Sequence, residues 1–161
     1  MRRSLILLTA WLLAVTTPTA HAQSSVSIPD PAFGGGFTLH NSANAPVTLH
    51  DFQGKNLVLT FGASPPALAR LAQALALADP SGAKIRAALI TTAPAQPPPR
   101  VTLLSGPAPA VRRAAAEYNA TNPALAAKLF YLVGPNGKFI ALIPASLTPG
   151  QMAGQLKRLS R

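Results

Sequence analysis

The chain has 161 residues, room for one domain, with 14 Lys and Arg against 4 Asp and Glu, 17 Pro, 11 Gly and no Cys. Without cysteine there is no disulfide framework, thiolate nucleophile, C-x-x-C redox pair, iron–sulfur cluster or thiolate zinc site. Much of the 48% hydrophobic content is Ala, so the large core-forming residues are fewer than that figure suggests.

Arg2 and Arg3, the apolar run Leu5 to Val15 and the small-x-small sequence Ala20-His21-Ala22 form the pattern of an export signal over residues 1–22, cleaved before Gln23. At 1.5 Å per residue the run spans about 17 Å as a helix, short of the roughly 30 Å of a bilayer core. A periplasmic or secreted protein is therefore predicted, the alternative being an uncleaved N-terminal membrane anchor. Without Arg2 and Arg3 the chain keeps 12 basic and 4 acidic residues, a net charge of +8. Export and the dispersal of these bases, never more than two in a row, argue against a nucleic-acid partner. They leave attraction to acidic proteins and peripheral contact with anionic membranes.

Residues 23–35 are rich in Ser, Pro and Gly and predict an extended lead-in to a single domain over residues 36–161. Phe37 to His40 and Val47 to Leu49 alternate like strands around the turn-forming Asn41 to Pro46, which predicts a hairpin. Asp51 to Asn56 is a polar turn, and Leu57 to Phe61 an apolar run expected to be a buried central strand. Pro65 and Pro66 open a helix with Leu68, Leu71, Ala72 and Leu75 at helical spacing, closed by Asp79 to Gly82. Ile85 to Thr91 and Val101 to Leu104 predict strands, separated by an irregular segment with four prolines in Ala93 to Pro99. Pro107 to Tyr118 predicts a helix. Leu129 to Val133 and Lys138 to Ile143 predict a hairpin around Gly134-Pro135-Asn136-Gly137, with Pro and Gly at the second and fourth turn positions. Thr148, Pro149 and the basic last turn frame a C-terminal helix. The order is that of a thioredoxin-like α/β fold, a central mixed sheet with flanking helices, an N-terminal hairpin and a C-terminal hairpin plus helix. Periodicity alone leaves other α/β sandwiches open.

Several stretches resemble the Sco/SenC family of copper chaperones, which have a thioredoxin-like fold and help assemble the copper site of cytochrome c oxidase. Gly35-Gly36-Phe37-Thr38-Leu39 is similar to the family's opening glycines and first strand. Asp51-Phe52-Gln53-Gly54-Lys55 with Leu57 to Gly62 resembles its D-F-x-G-K segment and central strand. Leu104-Ser105-Gly106 resembles the L-T-G before a helix, and Ala116-Glu117-Tyr118 that helix's end. Leu132 to Phe139 resembles the final hairpin. The resemblance implies a periplasmic protein partner, an oxidase subunit or another copper chaperone.

The family's C-P-x-x-C-P is replaced here by Gly62-Ala63-Ser64-Pro65-Pro66-Ala67-Leu68-Ala69-Arg70; laid down without gaps, the cysteines fall at Pro66 and Arg70. The stretch Asn119 to Phe130, where the family has its D-H-S histidine, contains no His. Ser64, Pro65, Pro66 and Arg70 are thus degenerate equivalents of the family site. The expectation is a non-catalytic binding or assembly module with no cofactor. The alternatives are a copper carrier with substituted ligands and a thiol-independent enzyme of thioredoxin-like fold.

Little other chemistry is encoded. Past the signal only His40 and His50 carry imidazoles. If Leu39 pairs near Thr48, so that position i faces 87 − i, their Cα atoms stand roughly 10 Å apart at about 3.4 Å per residue, making them weak candidates for a shared metal. Met152 falls within the last predicted helix, a core position rather than a ligand. Gly62-Ala63-Ser64 lacks the closing Gly of a nucleophile elbow, and Gly34 to Gly36 precedes a strand rather than a phosphate-binding helix. His50 and Asp51, as neighbours on an extended chain, are expected to point apart.

Overall fold

The computed structural model describes residues 35–160. The predicted export signal and all but the last residue of the lead-in lie outside them. The chain forms β1 (Thr38–His40), β2 (Pro46–Thr48), β3 (Asn56–Phe61), α1 (Pro65–Ala78), β4 (Ile85–Ile90), β5 (Val101–Leu104), α2 (Ala108–Glu117), α3 (Pro123–Ala126), β6 (Leu129–Val133), β7 (Phe139–Pro144) and α4 (Pro149–Leu159). A single 3-10 turn, Leu49–Phe52, follows β2.

The main sheet has the order β5-β4-β3-β6-β7. β3, β4 and β5 run parallel and β6 and β7 antiparallel, as the predicted βαβ unit and C-terminal hairpin require. All six residues of β3 are buried, which is why its sequence is nearly continuous in apolar residues. Side-chain alternation sends Val58 to one face and Leu57, Leu59 and Phe61 to the other. On the first face α1 and α4 pack through Leu71, Leu75, Met152 and Leu156. The second is covered by the β1–β2 hairpin and by α2, through Leu39, Ala114 and Tyr118.

The hairpin register differs by one residue from the expectation. Leu39 pairs with Val47 and Thr38 with Thr48, so position i faces 86 − i. Leu49 and His50 leave the ladder for the 3-10 turn because the Asp51 carboxylate accepts hydrogen bonds from the Thr48 amide (2.7 Å) and hydroxyl (2.9 Å), a local bond that outcompetes strand extension. Sequence periodicity also missed α3, too short to show a repeat, although its signal is plain in retrospect. The Asn122 side chain accepts from the amides of Ala124 (3.1 Å) and Leu125 (3.3 Å), and Pro123 opens the turn. The final helix begins as expected, with Thr148 and Gln151 forming a reciprocal capping box.

The link from β4 to β5 joins two parallel strands without the helix such a crossover ordinarily carries. The proline-rich segment runs over the α1 side, where Ala95 packs against the core. Its far end is fixed by Arg100, which holds a left-handed φ of 74°. The guanidinium donates to the carbonyls of Leu75 (3.0 Å), Asp79 (2.7 Å) and Pro80, so it caps the open C-terminus of α1. Beside it the buried Asp79 carboxylate accepts from the Ser81 hydroxyl (2.9 Å) and from the amides of Lys84 (2.8 Å) and Ile85 (2.9 Å). Desolvation opposes its ionisation, but the bonds from Ile85, Lys84 and Ser81 outweigh it and bring the pKa from 3.8 down to about 2.

Two outcomes test this architecture. Leu59→Ala, at a fully buried position of β3, should cost about 2–5 kcal/mol in denaturant unfolding; a loss below about 0.5 kcal/mol is the behaviour of a surface strand. Because the folded-state pKa of Asp79 is depressed, its contribution is present above the unfolded value of 3.8 and is lost as pH falls through about 2. Asp79→Asn should lower stability at neutral pH and reduce the slope of stability against pH in that acid window.

Candidate functional site

The site lies beyond the carboxyl end of β3, where the chain turns into α1. Gly62 takes a φ of +66°, a conformation that glycine adopts at no steric cost, and its amide still donates to the Ile90 carbonyl at 3.2 Å. Ser64 is the N-cap of α1; its side chain makes no capping bond, while its carbonyl accepts from the Leu68 amide at 3.0 Å. Pro65 and Pro66 occupy the first turn, where their missing amides cost no helical hydrogen bond. Ser64, Pro65 and Pro66 are exposed and Ala67 and Leu68 buried, so this turn presents two pyrrolidine rings and one hydroxyl outward.

Arg70, one turn further along α1, is half-buried and bound on its inner side. Its Nε (3.2 Å) and Nη2 (2.9 Å) both donate to the carbonyl of Ala145, a buried residue in the β7–α4 connection. Ala145 is also held through its amide, which donates to the Lys128 carbonyl at 2.9 Å. The guanidinium thus ties α1 to the chain between the last strand and the last helix with charge-assisted bonds. The sequence placed Arg70 at the site; its partner, 75 residues away, had no local signal.

Two clefts flank Gly62. One, of about 630 Å³, lies between the start of α1 and the proline-rich crossover and is lined by Ala63, Pro65, Leu68, Thr91, Ala95 and Pro98. The other, of about 460 Å³, lies between the ends of β3 and β4 and the helices α2 and α3, with Phe61, Ile90, Val111, Arg112, Thr121 and Ala126 among its walls. Phe61 packs at 6.0 Å from Tyr118 and edge-on at 5.4 Å from Tyr131. Burial, aided by the Glu117 charge, pushes the Tyr118 phenol up to about 12. The polar groups named here are hydroxyls and guanidinium groups; neither cleft contributes a carboxylate or an imidazole to its walls.

The histidines stand elsewhere. His40 pairs with Pro46 at the closed end of the β1–β2 hairpin and exchanges backbone bonds with Ser105 (2.7 and 2.8 Å). His50 follows Thr48, past the opposite, open end. The shift in register leaves the two separated along the hairpin. Asp51, which turns back to Thr48 within the 3-10 turn rather than pointing away on an extended chain, has its carboxyl held below the usual range by those bonds. Met152 is completely buried in α4. Among the described residues no three His, Cys, Asp or Glu side chains come together in a group able to hold a metal ion.

The SCO1/SenC family model matches residues 26–161. The chain belongs to the SCO1/SenC family. Its fold is that of solved relatives. Copper-bound ScoI of Bradyrhizobium japonicum superposes with a TM-score of 0.65 at 23% identity, over 80% of this chain and 99% of that one. Copper-bound yeast Sco1 gives 0.67 at 22% identity, over 80% and 92%. A SCO1/SenC family lipoprotein from Bacillus anthracis gives 0.63 at 19%, over 84% and 99%. A comparison with curated proteins gives no match. Membership confirms the thioredoxin-like fold that the element order suggested. The sequence has no Cys, and Met152, the one Met of the described residues, is fully buried, so the described residues offer Cu(I) no accessible soft ligand. The copper bound by those relatives finds no fitting group of ligands among the described residues.

The Arg70 tie has a measurable weight. Arg70→Met keeps the aliphatic stem but strands the Ala145 carbonyl, and should lower stability by about 1–3 kcal/mol, the cost of an unmet buried acceptor. Arg70→Lys, which can supply one donor without the fork, should recover part of the loss.

Proposed function

We propose that this protein is an exported, non-catalytic docking module of the oxidase-assembly system, which engages a protein partner in the periplasm through the surface around Ser64 to Arg70 and carries no copper itself. The reading rests on one observation above all: the turn that opens α1, where the resemblance puts the family's cysteines, is a closed structural element. Pro65 and Pro66 fill the first turn of α1, and Arg70 is committed to the Ala145 carbonyl. Exposed proline rings beside two clefts make a surface suited to protein recognition. Family membership supports the link to copper-site maturation, and the likeness to copper-bound relatives supports the assignment of this turn as the equivalent of theirs.

The same reading takes residues 1–22 as a cleaved signal and 36–161 as the domain. No helix of the described residues is long and apolar enough to cross a membrane. Retention of residues 1–22 as an anchor is the other form the exported protein can take. Mass spectrometry of exported material, starting at Gln23 or at Met1, decides between them.

Copper titration against a competing chelator tests the function. The wild-type chain from Gln23 should take up neither Cu(I) nor Cu(II) in competition, and His40→Ala/His50→Ala should change nothing. Tight uptake abolished by that double substitution would defeat the proposal in favour of a carrier with substituted ligands. Pro66→Cys/Arg70→Cys should introduce Cu(I) binding if these positions are the family's ligand positions, because neighbours four apart on a helix lie on one face. If the double-cysteine protein folds and gains no Cu(I) affinity, the equivalence of the two sites is wrong.

A further inference from the structure

The end of the domain opposite the candidate site gathers the basic residues. The chain enters β3 and β4 there, and α1 and α4 finish there. The Asn56 side-chain amide reaches the Ser160 carbonyl at 3.5 Å, and the Gly54 amide donates to the Pro135 carbonyl at 2.9 Å, so the start of β3, the end of α4 and the β6–β7 turn are adjacent. On these segments stand Lys55, Lys84, Arg86, Lys138, Lys157 and Arg158, six of the eleven Lys and Arg of the described residues. Arg100 lies there too, but it is spent on the α1 carbonyls. Lys157 and Arg158 also answer the dipole of α4; Lys55, Lys84, Arg86 and Lys138 belong to no helix. The Asp79 carboxylate at this end is taken up by Ser81 and the backbone amides of Lys84 and Ile85.

Two exposed leucines sit among these charges. Leu77, 52% exposed, is in the last turn of α1, and Leu159, 37% exposed, ends α4 beside Lys157 and Arg158. An acidic protein segment would be matched by the charges alone. Basic side chains around protruding apolar ones match an anionic bilayer surface, where the cations meet headgroup phosphates and the leucines reach the acyl boundary. A concavity of about 490 Å³ lined by Lys55, Ser81, Arg86 and Arg100 opens at this end and has room for one headgroup phosphate.

We propose that this basic end, with the exposed Leu77 and Leu159 on the helix ends that reach it, is a peripheral binding surface for anionic phospholipid membranes, and that it holds the domain with the Ser64–Arg70 rim facing away from the bilayer. The inference stands independently of what docks at that rim.

Co-sedimentation of the chain from Gln23, which contains both packed layers whole, with vesicles of phosphatidylcholine mixed with phosphatidylglycerol tests it. Binding should exceed that to pure phosphatidylcholine vesicles and fall with added salt. Lys84→Gln/Lys138→Gln/Lys157→Gln should weaken it by about a hundredfold, at about fivefold per charge. Arg112→Gln/Arg113→Gln, which removes two charges from α2, should change it by less than about twofold. Leu77→Ser/Leu159→Ser should weaken it at unchanged net charge. Equal binding to neutral and anionic vesicles, an equal per-charge loss in the α2 variant, or no loss in the leucine variant would overturn the proposal. Tight binding to polyglutamate with none to the anionic vesicles would overturn it in favour of an acidic protein partner.

Discussion

Burial of β3 on both faces and both edges is the constraint from which the rest of the structure follows. A strand paired with β4 on one side and β6 on the other, and covered by helices on one face and by the hairpin and α2 on the other, has no exposed position to spend on chemistry. Its sequence is mostly apolar, broken only by the buried Asn56 and Thr60. Reactive groups must therefore come from where it ends, and the chain leaves it at the exposed Gly62 into an accessible turn. Ligands of open parallel sheets collect at the carboxyl ends of the strands for the same reason. That geometry is kept here, with hydroxyls, a carboxamide and guanidinium groups as the polar side chains around it.

The proline-rich crossover shows a fold tolerating the loss of an element. A parallel connection needs length to cross the sheet, and a helix ordinarily provides both length and internal hydrogen bonding. Here proline supplies stiffness, and the chain needs fewer backbone partners because each proline removes a donor. What the missing helix would have contributed by packing is replaced by two point fixings, Ala95 against the core and Arg100 on the end of α1. Arg100 adopts a left-handed backbone to reach those carbonyls, a cost its hydrogen bonds offset.

Much of the fold was legible before any coordinates. Leu57 to Phe61, Ile85 to Thr91 and the Gly-Pro-Asn-Gly hairpin announced themselves through continuous apolar runs and turn chemistry, which are local properties of the chain. The first hairpin's register was less secure, because Asn41 to Pro46 permits more than one way of closing and the deciding bond, Asp51 to Thr48, lies outside the ladder. The helix Pro123–Ala126 is too short for periodicity, and only its Asn-Pro start marks it. At the site, the missing thiols were plain from composition. The role of Arg70 was not, since it depends on a carbonyl brought near by the pairing of β6 with β7 and the return of α4.

A turn fixed by Arg70 and free of sulfur has a consequence for how the protein meets its surroundings. Oxidants act on sulfur, and the one sulfur atom of the described residues, in Met152, is enclosed between α4 and the sheet. The turn itself, from Gly62 to Arg70, carries no sulfur, and its one guanidinium is engaged with the Ala145 carbonyl. Redox change in the surroundings therefore has no sulfur at this turn through which to reshape it.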